Sequence, residues 1–249
     1  MVRHLTRVGD AGRACFFRFL KSLFDEGENA ARSRISNENC LMEGKIIEDL
    51  RIHVGGYDQV GDRSLASISA LRKSAWEHRY PHYAQQVSRW DDQFDSSAIL
   101  LTASIAEKLA GTARLNVCTF EMAFGQFGHV PNFAKFIRQF SPPIATMTRL
   151  AIYPEFMGRG IANALDLARI EIAKAQNCSI LIVEINNTTR RMRAISDMGF
   201  QAIQGAENYP ASPYVSSAVE GKPFEYKRGT AFYAELHSAT CFKPLTGNG

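Results

Sequence analysis

Apolar and polar residues alternate along this chain in three distinct rhythms, and their order sets out the elements to expect. The first rhythm is basic and aromatic: Phe16, Phe17, Phe19, Leu20, Leu23 and Phe24 stand among Arg13, Arg18 and Lys21. Residues 1–26 leave two readings open. One is an amphipathic helix lying on a membrane surface. The other is a helix docked on the protein's own core or on a second subunit, which the wide apolar face made by Phe16 and Phe17 favours. The polar run over 27–40, GENAARSRISNENC, reads as a linker. Ile46–Val54 then alternates as a first strand, ended by Gly55-Gly56. Ser64–His78 carries Leu65, Ile68, Leu71, Ala75 and Trp76 at helical spacing, and Pro81 stops it. Ala98–Ile105 and Leu109–Val117 form two short apolar strands joined by a charged turn at Glu107-Lys108, hence a hairpin. Pro131–Phe140 reads as a short helix with proline in its first turn. Ala145–Tyr153 is a strand and Ala162–Gln176 a helix with Leu165, Ala168, Ile172 and Ala173 on one side. Ser179–Ile185 is a continuous buried strand, Thr188–Met198 a helix closed by Gly199, and Thr230–Leu236 a final strand.

This order predicts an N-terminal extension and linker over residues 1–40 and one mixed α/β domain over 41–249. Composition agrees: 249 residues at 45% hydrophobic suit one large domain plus an extension, and 22% charged residues give no sign of global disorder. The net charge of +4 suits anionic partners such as thioester cofactors or acidic carrier proteins. Its basic residues are scattered, with no zinc-finger or RNP-like pattern, so no nucleic-acid partner is expected. The five cysteines are widely spaced without a CxxC, which predicts neither a metal site nor a disulfide framework. Reduced thiols, no apolar run of about 18 residues and no secretion signal predict a cytoplasmic protein. It would sit at the inner membrane surface if residues 1–26 lie on the bilayer.

Chemistry concentrates in Thr148–Phe200, which runs strand, proline turn, glycine loop, helix, buried strand, helix, Gly-Phe. Within it stands Pro154-Glu155-Phe156-Met157-Gly158-Arg159-Gly160-Ile161-Ala162. Gly158 and Gly160 let the backbone come close to a ligand. The helix starting at about Ile161 points its first N–H groups and dipole at the same place. Together they make a cradle for an anion such as a pyrophosphate. A plain strand-to-helix turn would use the same residues.

The segment as a whole resembles the donor-binding motif of the GNAT superfamily of N-acyltransferases. There the loop reads Gln/Arg-x-x-Gly-x-Gly/Ala after a strand ending near a Pro-Glu pair. Gly160 and Ala162 take the two small positions, Met157 stands where the family prefers Gln or Arg, and Gly199-Phe200 matches the family's Gly-Phe ending. The tight match covers about 50 residues. It implies a central mixed, mostly antiparallel sheet flanked by helices, with Ala145–Tyr153 and Ser179–Ile185 parallel and splayed apart. Backbone groups of Leu150 and Ile152 would bind the pantetheine arm of the donor, an acyl-coenzyme A or acyl carrier protein. Met157, Gly158, Arg159, Gly160, Ile161 and Ala162 would hold its pyrophosphate. Thr188 and Ile195 occupy the positions where many members carry an asparagine and an acidic tyrosine, so that general acid is missing here.

The upstream half carries a second resemblance. Arg72-x-x-x-Trp76, Asp92-x-x-Asp95, Arg114 and Arg149 look like the pattern of the acyl-homoserine-lactone (autoinducer) synthases, to which N-acyl amino acid synthases are related. Thr146 departs from it, standing where the lactone synthases have glutamate, which favours an N-acyl amino acid product. The resemblance implies substrate contacts by Arg72, Trp76, Arg114 and Arg149, with an arginine clamping the acceptor carboxylate. Glu184, Asp92 or Asp95 would take the proton of the amine. Blander roles remain open: one helix face for Arg72 and Trp76, a turn cap for the aspartates, surface ion pairs for Arg114 and Arg149, a solvent-facing strand end for Glu184. His129 has no partner visible in sequence. Three functions therefore stand side by side: an N-acyltransferase of an amino acid, an acetyl-coenzyme A-dependent acetyltransferase of a small amine, and a thioester-binding sensor without turnover.

Overall fold

The computed structural model describes residues 40–42, 45–47, 50–85, 87, 89–210 and 228–236. The basic stretch 1–26 and most of the linker lie outside them. Strands β1 (Cys40–Met42) and β2 (Lys45–Ile47) form a small antiparallel pair. The expected first strand is therefore two: β2 and then β3 (Leu50–Gly56), which runs through Gly55 and Gly56 rather than stopping at them. Helix α1 (Tyr57–Arg79) follows at once, starting seven residues earlier than its apolar spacing suggested, and α2 (Pro81–Ala84) begins on the proline that stops it. β4 (Ile99–Ile105) and β5 (Lys108–Cys118) are the hairpin. Its turn is Ala106-Glu107, both at positive φ, because a two-residue loop of that twist matches the twist of the strands.

Helix α3 (Phe120–Phe127), capped by Thr119, was not legible, and α4 (Phe133–Ile137) is the core of the expected short helix. Then come β6 (Ile144–Ile152), a 3₁₀ turn at Pro154–Phe156, α5 (Ile161–Ala175), β7 (Ile180–Asn186), α6 (Thr189–Asp197), and the short β8 (Gln201–Ala202) and β9 (Tyr209–Pro210). The last described strand is β10 (Arg228–Glu235).

Among the described residues the main sheet has eight strands in the order β3-β4-β5-β6-β7-β10-β8, with β9 also on β10. Every pairing is antiparallel except β6 with β7. Period-2 alternation divides the side chains between two layers. Ala113, Leu115, Met147, Leu181, Val183 and Phe232 pack beneath α5 with Leu165 and Ala168. Ile144, Ile180, Ile182 and Ala231 pack beneath α3 and α4 with Phe127, Phe133 and Ile137. Helix α1 covers β3 to β6 on the face away from α5, seated on Ile68 with Ala98 and Leu100. No helix among the described residues is long and apolar enough to cross a membrane.

Candidate active site

The site begins with a fault in the sheet. β6 and β7 pair from Ile144–Ile180 to Met147–Val183 and then part. At the same level β6 bulges. Thr112 faces Ala151 and Arg114 faces Thr148, so Ala113 on β5 is opposed by both Arg149 and Leu150. Arg149 takes the left-handed conformation, φ 55°, a backbone state that ordinary side chains adopt at a cost of about 1–2 kcal/mol. Beyond the bulge, the Tyr153 N–H bonds Ala110 O across β5 at 2.9 Å. Strand alternation then turns the backbone groups of Ile152 and Leu150 the other way, into the gap left by β7. These are the two residues expected to meet a pantetheine arm.

The gap leads to the glycine loop. Gly158 and Gly160 have φ 78° and 81°, values that glycine reaches without strain. Gly160 is the N-cap of α5, and among the described residues no side chain caps that helix. Its first N–H groups are left for water or a ligand, with the positive end of the helix dipole behind them. Met157 is half-exposed at the turn, and the Arg159 guanidinium stacks on Phe156, 5.3 Å from the ring centre.

On the face away from α5, the upstream residues converge into one charged chain. Arg72 is buried and bonds both Asp95 carboxylate oxygens at 2.9 Å and Trp90 O at 2.9 Å. Arg114 is also buried: it bonds Asp92, lies 3.2 Å from Asp95, and donates to Thr148 Oγ1 at 2.8 Å. Arg149, partly exposed, bonds the far oxygen of Asp92 at 2.5 and 3.1 Å. Burial pushes the Asp92 carboxyl up, but Arg114 and Arg149 together outweigh it and hold it at about 2. Asp95 is likewise raised by burial and brought below the usual range by Arg72, Arg114 and the Asp92 N–H. The turn-cap reading is correct in part, since Phe94 N–H bonds Asp92 Oδ1 at 2.9 Å. The surface-pair reading fails for Arg114, whose side chain is 3% exposed. Trp76 is tilted against Tyr80 and Trp90. A cleft of about 140 Å³ is lined by Arg72 and Asp95 together with Leu65, Ile68 and Leu100.

Glu184 sits on β7 one residue past the last β6 pairing, on the layer of Ile180 and Ile182. It does not point to open solvent: its side chain is 19% exposed, and His129 Nε2 lies 3.0 Å from Oε2. Tyr209 packs on His129 at 6.2 Å, and its buried phenol is pushed up, first by burial and then by the Glu184 charge. Sequence reasoning missed His129 and Tyr209, which come from a loop and a two-residue strand. Thr146, at the position of the lactone synthases' glutamate, is fully buried, donates to Gln126 Oε1 at 2.7 Å and touches Cys118. Ile195, on α6, is fully buried in the same core cluster as Leu165 and Ala168 of α5. Among the described residues no three His, Cys, Asp or Glu side chains gather as a metal site.

Among the described residues, then, the mixed sheet opens at its single parallel pair, with a glycine loop and a bare helix end at the opening. The model of the Acetyltransferase (GNAT) family matches residues 65–200, and the chain belongs to that family. No curated protein sequence matches the chain significantly. Among solved structures it is similar to FeeM, an N-acyl amino acid synthase from uncultured soil microbes. That match has 13% identity and a TM-score of 0.51, covering 75% of this chain and 91% of that one. It is similar to an acyl-CoA N-acyltransferase from Pseudomonas aeruginosa at 12% identity and TM-score 0.51, covering 74% and 98%. The yncA putative acetyltransferase from Salmonella typhimurium, solved with acetyl-CoA, matches at 13% identity and TM-score 0.50, covering 78% and 98%. Identities this low speak for the fold alone.

Proposed function

We propose that the protein is an N-acyltransferase that moves an acyl group from acyl-coenzyme A to the amine of a small molecule carrying a carboxylate, such as an amino acid. The observation that carries this reading is the end of β6–β7 pairing at Met147–Val183, with β6 running on through Ile152 and the Pro154–Phe156 turn into the Gly158–Gly160 loop and the uncapped start of α5. The donor's pantetheine arm then runs along Leu150 and Ile152 as an added strand. Its pyrophosphate rests on the amides of residues 157–162. An acyl carrier protein would present the same arm.

Glu184 is the proton acceptor in this reading. It stands at the split, and His129 orients its carboxylate. The amine nitrogen attacks the thioester carbonyl carbon and forms the new carbon–nitrogen bond, the carbon–sulfur bond breaks with its electron pair leaving on a thiolate, and the one proton the amine loses passes to Glu184 directly or through one water and then to the thiolate. Asp92 and Asp95 hold arginines instead, because two guanidinium groups on one carboxylate leave it too weak a base. Arg149 spends Nε and Nη2 on Asp92; in this reading its Nη1 edge, partly exposed, clamps the acceptor carboxylate, while Arg72 and Arg114 are structural.

The test is thiol release from acetyl- and long-chain acyl-coenzyme A with amino acids and with simple amines. Glu184→Gln should lower kcat by roughly 10²–10⁴-fold with donor affinity kept. Wild-type turnover in that variant removes Glu184 as the base. Transfer to simple amines alone selects the acetyltransferase, and binding without turnover selects the sensor.

A further inference from the structure

The helix behind the glycine loop carries two charges where its neighbours are apolar. Asp166 and Arg169 are fully buried on α5, among Ala164, Leu165, Ala168 and Ile172. Arg169 bonds Asp166 one turn back. Its Nη1 also reaches into the sheet and donates to Arg114 O and Thr148 O, both at 3.2 Å. Those carbonyls face one another at the edge of the bulge, where the shift in register interrupts the regular ladder. Asp166 takes a second guanidinium from Arg191 on α6, the helix that begins three residues after β7 ends.

We infer that Arg191, Asp166 and Arg169 form a strut that sets the width of the donor cleft. The inference rests on the donor-site reading above. One lip of the cleft is β6 at Thr148, held through its carbonyl by Arg169. The other lip is β7, whose following helix is held through Arg191. Both arginines meet on the one carboxylate of Asp166, so the distance between the lips is fixed through three side chains.

Stability alone does not explain such a group. A buried ion pair stabilises no better than apolar residues of equal volume. Arg169 Nε also has no hydrogen-bond partner among the described residues, a further cost. What an apolar pair could not do is bond two bulge carbonyls and a second helix at once. From the opposite face Asp92 holds the Arg149 side chain, so the bulge is gripped on both sides of the sheet. Arg169 is on this account a positioning residue that touches neither substrate.

The experiment is calorimetric titration with acetyl-coenzyme A, beside the acceptor KM and thermal unfolding. In Asp166→Leu/Arg169→Leu the core stays apolar and the fold should persist. Donor affinity should fall roughly tenfold or more, the loss of a charge-assisted contact, with acceptor KM within about twofold. Arg191→Gln, at a partly exposed position, should weaken the donor by a smaller factor, and Arg191→Lys should recover most of it. A folded double variant with wild-type donor affinity overturns the strut. If the double variant does not fold, unchanged donor affinity in Arg191→Gln overturns it equally. Failure of the wild-type protein to bind acetyl-coenzyme A is a separate result: it removes the donor site itself, and the strut with it.

Discussion

Replacing Asp92 by asparagine takes one negative charge from a group of three guanidinium groups and two carboxylates, Arg72, Arg114, Arg149, Asp92 and Asp95. Arg114 keeps Asp95 at 3.2 Å and Thr148 Oγ1 at 2.8 Å. Arg149 loses its anchor while still at positive φ. Removing one partner of a fully buried pair costs about 3–5 kcal/mol, and the remaining partners and partial exposure here bring the expectation to about 2–3. The electrostatics of the folded site give a second figure. The Asp92 carboxyl sits at about 2 in the folded chain against an ordinary 3.8, a difference worth about 2.5 kcal/mol. Because the folded carboxyl is the stronger acid, the native state binds fewer protons there. This stabilisation is fully present above about pH 5, roughly half of it is gone by pH 3, and it vanishes below pH 2. Urea unfolding followed by tryptophan fluorescence suits the measurement, since Trp90 O accepts from Arg72 in the same network. The stability difference between wild type and Asp92→Asn should be about 2–3 kcal/mol at pH 7 and shrink by about half at pH 3. A difference under about 0.5 kcal/mol at pH 7, or one constant across that range, would refute the reasoning, since it is no larger than an ordinary surface change.

Three further predictions concern the cleft. Gly160→Val puts a β-branched residue at φ 81°, so acyl-coenzyme A affinity should fall at least tenfold on titration, while circular dichroism stays native. Gly229→Ala places a methyl 2.9 Å from Glu184 Oε1, the movable end of a side chain. Thermal stability should hardly change, but kcat should drop as the carboxylate swings off His129, and an unchanged kcat would show that this carboxylate position is not used. Arg149→Lys keeps the charge and loses the planar fork, so the acceptor KM should rise roughly tenfold or more with the donor KM kept. Equal changes in both constants would make Arg149 structural.

What could be read before folding was whatever local pattern encodes. Leu109–Val117, Ala145–Tyr153 and Ser179–Ile185 lie within a residue or two of their strands because period-2 and continuous apolar runs are short-range signals. Gly199 closes its helix as expected, at φ 90°, and Gly158 and Gly160, expected to let a ligand close to the backbone, also take positive φ. The early start of α1 was hidden because Tyr57–Arg63 is largely polar, and α3 because in its eight residues Phe120, Met122 and Phe124 also alternate at strand spacing.

The charged sites divide the same way. Asp166 and Arg169 are legible in the sequence only as two of the four charged residues of Ala162–Gln176, beside Glu171 and Lys174. Their use is not, since Arg169 bonds carbonyls 21 and 55 residues away. The sequence determined the order of strands and helices, the glycine loop and the inventory of arginines and carboxylates, because each depends on neighbours within a turn or two. Tertiary structure alone decided that β6 and β7 part at Met147, that Arg149 sits on a bulge between Asp92 and Arg169, and that His129 reaches Glu184 across 55 residues. Those are pairings between distant segments, and only the packed sheet brings their partners within hydrogen-bond distance.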